Sequence, residues 1–216
     1  MQNTEAGWRL KQLLRSRRYF TTPEMVHLYK AQVLSCIESS TPGVYHAAPS
    51  VLDRIDRVQR RFLREMGMDE RAALRDYRLA PLPARRDMAM LGVLHRVALG
   101  LAPPQLAALF PLRGVVPEPW HMGRLRTWRP LHNRQLECLA PLRCTETMSR
   151  SLLGLTPCYN KLPQKAVALT TVKGFQRGLQ NALKLYEQAT SEDDWSALYS
   201  AGWKQLTRPQ LDKFFA

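Results

Sequence analysis

Five arginines recur at three- and four-residue spacing in the stretch DRIDRVQRRFLREMGM, from Asp53 to Met68. At about 100° per residue, Arg54, Arg57, Arg61 and Arg64 project onto one helical face, with Arg60 at its edge. A row of guanidinium groups performs no acid–base or nucleophilic chemistry at neutral pH. Its forked N–H donors match phosphate oxygens, so the chemistry such a row offers is grip on a phosphate backbone. The plainer alternative is a solvated basic face. Three acids bear on that choice. Asp53 stands four residues before Arg57, Asp56 four before Arg60, and Glu65 four after Arg61. Their i,i+4 spacing predicts ion pairs that partly neutralise the row and leave Arg54 and Arg64 as its freest members.

A second row has the same design. In residues 171–188, Lys173, Arg177 and Lys184 oppose a seam of Val172, Phe175, Leu179, Leu183 and Tyr186. The charge balance of the 216-residue chain agrees with both rows. Lys+Arg number 32 against 18 Asp+Glu, a formal net charge of +14, and 24 of the basic residues are arginine. A surplus of that size attracts polyanions, nucleic acid foremost.

Other chemistries find little support. His132, Cys138 and Cys144 are spaced six apart, which suits neither a helix face nor a zinc knuckle. His95 lies in an apolar helix and reads as a packed core histidine. No Gly-rich phosphate loop or Ser nucleophile elbow is present. Asp193 and Asp194 follow Ser191 and read as residues of a helix N-terminus rather than as magnesium ligands. No catalytic site, metal or cofactor is therefore expected. Four cysteines without a framework suggest free thiols in a reducing compartment. No apolar run reaches the ~18 residues of a membrane span, and the N-terminus carries no signal-peptide core. Residues 7–20 have the basic, amphipathic pattern of a mitochondrial or plastid transit helix, although Glu5 precedes them and no Ser-rich stretch follows.

The elements that must position these residues are mainly helical. Periodicity and end signals predict helices over 4–18, 21–40, 50–66, 70–78, 83–99, 146–157, 163–169, 171–188 and 194–206. Thr21 and Glu24 have capping-box spacing with Pro23 in the first turn, and Ser50 with Asp53 repeats it. Residues 41–50, TPGVYHAAPS, read as a linker, and Gly67 as a helix stop. Met88 to Leu99 is nearly continuously apolar and predicts the most buried helix. PPQLAALF adds one or two turns. Residues 111–145 form a basic connector with Pro, Trp and His, in which RLRTWRPLHNRQL (124–136) fits a short β-hairpin.

Three segments in series resemble a known family. LYKAQVLSCIES, continuing through YHAAPSVLDRIDRVQRRFLREMGM, then ARRDMAMLGVLHRVALGLAP, then YNKLPQKAVALTTVKGFQRGLQNAL, are similar in order and spacing to reverse transcriptases of LINE-type, non-LTR retrotransposons, in the region after the polymerase palm. The resemblance covers residues 10–188. It implies a thumb-like helical bundle over 1–110, the connector over 111–145, and a C-terminal helical region over 146–216. In the family the thumb grips template and primer, and the region beyond it helps hold element RNA. The family's QRR helix falls on Gln59, Arg60, Arg61 and Arg64. Its WN-x-LP corner falls on Tyr159, Asn160, Leu162 and Pro163, with Tyr159 in place of Trp, and reads as structural: Asn160 ends one helix and Pro163 starts the next. The palm's aromatic-x-Asp-Asp motif, with its metal-binding acids, is missing. The chain is then no polymerase by itself, but a fragment or a stand-alone descendant.

Two expectations follow. The first is a non-catalytic, basic module that binds RNA or an RNA–DNA hybrid through Arg54, Arg57, Arg60, Arg61, Arg64, Lys173, Arg177 and Lys184. The second is a structural subunit of a large ribonucleoprotein or organellar complex, such as a mitochondrial ribosome, with protein subunits as further partners. The compartment expected is nuclear, mitochondrial or plastid.

Overall fold

The computed structural model describes residues 2–113, 132–137 and 145–189, together with Trp203, Thr207, Pro209, Leu211, Asp212 and Phe215. The fold is mainly α. In chain order the helices are α1 (Gln2–Arg15), α2 (Thr22–Tyr29), α3 (Ser35–Ser39), α4 (Thr41–Val44), α5 (Pro49–Glu65), α6 (Glu70–Tyr77), α7 (Leu82–Ala98), α8 (Pro104–Ala107), α9 (Glu146–Arg150), α10 (Leu152–Asn160), α11 (Gln164–Val167) and α12 (Val172–Ala189). A 3-10 turn, Arg17–Tyr19, follows α1, and a π-helical turn, Lys30–Leu34, joins α2 to α3. The helix expected over 194–206 and most of the hairpin expected over 124–136 lie outside the described residues. What is described there is one antiparallel bridge, between Leu112 and Leu136.

Several ends differ from their sequence signals for identifiable reasons. Glu24 accepts from the Thr21 backbone N–H at 2.7 Å and from its hydroxyl at 2.8 Å, as the capping-box spacing predicts. These bonds hold the Glu24 carboxyl below its ordinary pKa. Ser50, by contrast, caps nothing. Helix α5 starts one residue earlier, at Pro49 after Ala48. Proline suits the first helical position because its φ is preset and its missing N–H would have no helical partner. Ser50 thereby moves inside the helix, and Asp53 turns to arginines instead of a cap. Gly67 does stop α5, at φ +60°, with the Met68 N–H reaching the Leu63 carbonyl at 2.9 Å. The expected linker over 41–50 contains the turn α4. The helix expected over 146–157 is interrupted at Ser151, whose hydroxyl accepts from the Leu153 N–H and so caps α10.

The chain divides into two compact units, with divisions within α7, at Asp87/Met88, within α12, at Tyr186/Glu187, and at Gly202/Trp203, so that Trp203 belongs to the second unit. In the first unit, α1, α2, α3 and α5 share one core that includes Leu10, Leu13, Tyr29, Val33, Ile37, Val58 and Phe62. Tyr29 and Phe62 stack with centroids 4.1 Å apart, and burial pushes the Tyr29 hydroxyl well above its ordinary pKa. Two sets of polar contacts secure the margins. Arg86 grips Asp56 bidentately at 2.5 and 3.0 Å, and Tyr45 donates to Asp87 at 2.7 Å. Glu187, buried, accepts from Arg71 Nε at 3.0 Å.

In the second unit the remainder of α7 supplies Leu91, Leu94 and Val97 to a core with Leu155, Tyr159, Phe175 and Leu179. The Tyr159–Pro163 corner is structural. Asn160 ends α10 and Pro163 precedes α11, and the Asn160 amide both donates to and accepts from the Leu136 backbone, at 2.8 and 3.0 Å. An amide can pair with a peptide group in this way because it carries the same donor and acceptor. Arg134 donates to the carbonyls of Val167 and Leu169, and Asn133 and Gln164 pair reciprocally. Residues 132–137 are thus fastened to the corner mainly by polar groups. His95 is fully buried, as its apolar surroundings predict. Its Nδ1 lies 3.0 Å from the Tyr159 hydroxyl, its Nε2 lies 2.8 Å from the Leu169 carbonyl, and its ring stacks on Phe175 at 4.1 Å.

Candidate nucleic-acid interface

The inward face of α5 carries Ile55, Val58, Gln59, Phe62 and Leu63, all buried. That seam fixes which way the helix points and sets its arginines outward. Arg54, Arg57, Arg60, Arg61 and Arg64 are all exposed. Four of them, Arg57, Arg60, Arg61 and Arg64, line an open cleft of about 470 Å³ together with Glu70, from the first turn of α6. Arg54 shares the face without lining the cleft. Of the QRR residues, Gln59 turns inward and donates to the Ala80 carbonyl at 3.0 Å, while Arg60 and Arg61 turn outward.

The acids do not divide as their spacing predicts. Asp53 pairs with Arg57 at 2.6 Å as expected, but it also takes Arg60. Hydrogen bonds from these two guanidiniums hold the Asp53 carboxyl below its ordinary pKa. Asp56 does not pair with Arg60; it points to Arg86, in a bond shielded on both sides. Glu65 does not pair with Arg61; it accepts from Arg17 at 3.1 Å. For Asp56, a partner that is already desolvated and held in place outcompetes an exposed neighbour on the same helix, since the neighbour must give up side-chain freedom and is screened by water. Arg17 is itself exposed, but it bonds both the side chain and the backbone carbonyl of Glu65. The outcome favours the row: of these three acids only Asp53 pairs with its guanidiniums, and the other carboxylate at the cleft is Glu70, from α6. Arg54, Arg61 and Arg64 have no ion-pair partner among the described residues.

On α12, Lys173 and Arg177 are exposed and Lys184 is half-buried, opposite Phe175, Leu179, Leu183 and Tyr186. None of the three has an ion-pair partner among the described residues. They form a row of their own within the second unit. Val172, placed in the seam by periodicity, is only half-buried at the helix start.

Glu70 and Arg17 were not legible as neighbours of the row. Glu70 comes to it through the turn at Gly67, and Arg17 through the packing of α1 on α5. Neither relation leaves a periodic signal. Among the described residues no group of three or more His, Cys, Asp or Glu could hold a metal ion. His132 is engaged structurally, with Nε2 3.2 Å from the Tyr159 carbonyl and Nδ1 accepting from the Arg134 N–H. Cys138, Cys144, Asp193 and Asp194 lie outside the described residues. No helix among the described residues is long and apolar enough to cross a membrane. No protein-family model, no curated protein and no solved structure matches the chain.

Proposed function

We propose that the chain is a non-catalytic nucleic-acid-binding module whose α5 row contacts the phosphate backbone of RNA or an RNA–DNA hybrid. The observation that carries this reading is the cleft lined by four arginines, Arg57, Arg60, Arg61 and Arg64, against one acid, Glu70, with Asp56 and Glu65 turned to other partners. Concave surfaces concentrate a like-signed potential, and arginine forks suit phosphate oxygens. The motif series resembling a reverse-transcriptase thumb supports the same polyanion. The row reads backbone, not base edges, so binding has little sequence preference and falls steeply with salt. Filter binding at two salt concentrations tests it. Reversing Arg54, Arg61 and Arg64 to Glu is expected to make log K against log salt shallower by about 0.7–0.9 per lost contact. Unchanged affinity and slope in that variant would overturn the proposal.

A further inference from the structure

In the first unit, α1 and the turn that follows it carry exposed aromatic rings that the core does not use. On α1, Trp8 is 61% exposed and shares a face with Lys11 and Arg15, three and seven residues on. Beyond α1, Tyr19 is 68% exposed and Phe20 42%. Arg18 lies over the Tyr19 ring, its guanidinium carbon 4.7 Å from the centroid, and donates to the Tyr19 hydroxyl at 2.6 Å. The neighbouring Arg17 bonds the side chain and the carbonyl of Glu65, at 3.1 and 3.3 Å. That bond fastens the aromatic turn to the end of α5 that bears Arg61 and Arg64.

We infer that Trp8, Tyr19 and Phe20 form a stacking platform for unpaired bases, continuing from the α5 backbone contact onto a single-stranded segment of the same nucleic acid. The inference rests on the α5 reading for its backbone anchor. Rings interleaved with cations are what a single strand needs, because every base offers a π face and every nucleotide a charge. Arg18 covers one face of Tyr19 and holds the ring in place, so less freedom is lost when a base stacks on the open side. A membrane surface is the other partner that basic, aromatic surfaces attract. It fits less well: the apolar face of α1, with Ala6, Leu10 and Leu13, is already buried in the core, leaving no continuous apolar face to enter a bilayer.

The test measures the full chain by fluorescence anisotropy on a plain RNA–DNA duplex and on the same duplex with an eight-nucleotide RNA overhang. The expected result is tighter binding to the overhang substrate. Tyr19→Leu and Trp8→Leu are each expected to lose about tenfold of that preference, while duplex affinity and salt slope stay unchanged. Tyr19→Phe, which keeps a ring, is expected to retain most of it. No overhang preference in the unaltered chain, or full preference in the leucine variants, overturns the platform while leaving the α5 reading intact. Duplex affinity that survives reversal of Arg61 and Arg64 overturns the α5 reading instead. Binding to anionic phosphatidylserine vesicles that is lost in Tyr19→Ala, with overhang preference unchanged, assigns the rings to a membrane surface and also overturns the platform.

Discussion

Asp53 and Asp56 stand one helical turn apart and have opposite consequences. The Asp56–Arg86 pair is bidentate, and its side chains are only 14% and 7% exposed. Removing one partner strands the other charge away from water. Asp56→Ala is therefore expected to cost about 3–5 kcal/mol, seen as a lower urea midpoint. The Asp53 side chain is 43% exposed, and its loss costs little stability. Asp53→Asn is expected instead to strengthen RNA binding severalfold, in the same filter assay, because it releases Arg57 and Arg60 from a competing carboxylate. Spacing cannot separate these two acids, since both stand four residues before an arginine. What separates them is Arg86, thirty residues away in the chain and adjacent only after folding. His95 makes a third prediction at this scale. Burial, followed by the repulsion of Arg134, holds its pKa below the ordinary 6.5, while the bond to the Leu169 carbonyl pulls the other way. The unfolded chain thus binds a proton that the folded one refuses. His95 contributes stability above pH 6.5, and that contribution is lost as the pH falls below 6.5 toward the folded value. A melting temperature that declines on acidification through this window, and declines less in His95→Gln, is the expected outcome.

At the scale of the element, α5 is the clearest case of a helix readable in advance. Its arginine row follows from a local period and was legible, as was its stop at Gly67. Of the seam that the same period predicts, Leu52, Ile55, Val58, Phe62 and Met66, the middle three are buried, while Gln59 and Leu63 take the place of the half-buried Leu52 and Met66. Its start was not, because Pro49 and Ser50 both carry start signals and only one can hold the first position. The π-helical turn at Lys30–Leu34 left no trace in the pattern either. Its wider winding becomes visible only in what it presents, including the Gln32 carbonyl that accepts from Arg9 at 3.2 Å. The stack of Phe62 on Tyr29 ties α5 to α2, and Phe62→Ala is expected to cost about 3–5 kcal/mol. Arginine reversal should lower binding while the thermal transition stays in place. Phe62→Ala should lower both together, which circular dichroism alongside filter binding distinguishes.

For the whole molecule, two basic rows and a +14 chain give more cationic surface than a single contact needs. Mainly helical architecture was legible because amphipathic periods recur along most of the chain. The division into two units inside α7 and α12 was not, since each of these helices runs on without a break across its division, with no turn or linker to mark it. The fastening of residues 132–137 by Asn160 and Arg134 was also hidden: single polar residues hold it, and single polar residues have no period. If both rows touch nucleic acid, their salt dependences add. Lys173→Glu, Arg177→Glu and Lys184→Glu combined are expected to reduce the salt slope by about 0.7–0.9 per contact, on top of the α5 variant. A slope unchanged by the α12 triple restricts binding to α5.

Gln59 sits in the middle of an otherwise apolar seam, and its amide reaches a single carbonyl, that of Ala80. Greasy contacts alone tolerate a helix turning about its own axis, because one methyl group can replace another. A directional bond does not. Turning α5 by one residue would swing this amide about 100° away, leave the Ala80 oxygen without its donor, and carry Arg60 toward the interior. Gln59 therefore acts as a key that sets the rotational phase of α5, and with it the direction in which five arginines face.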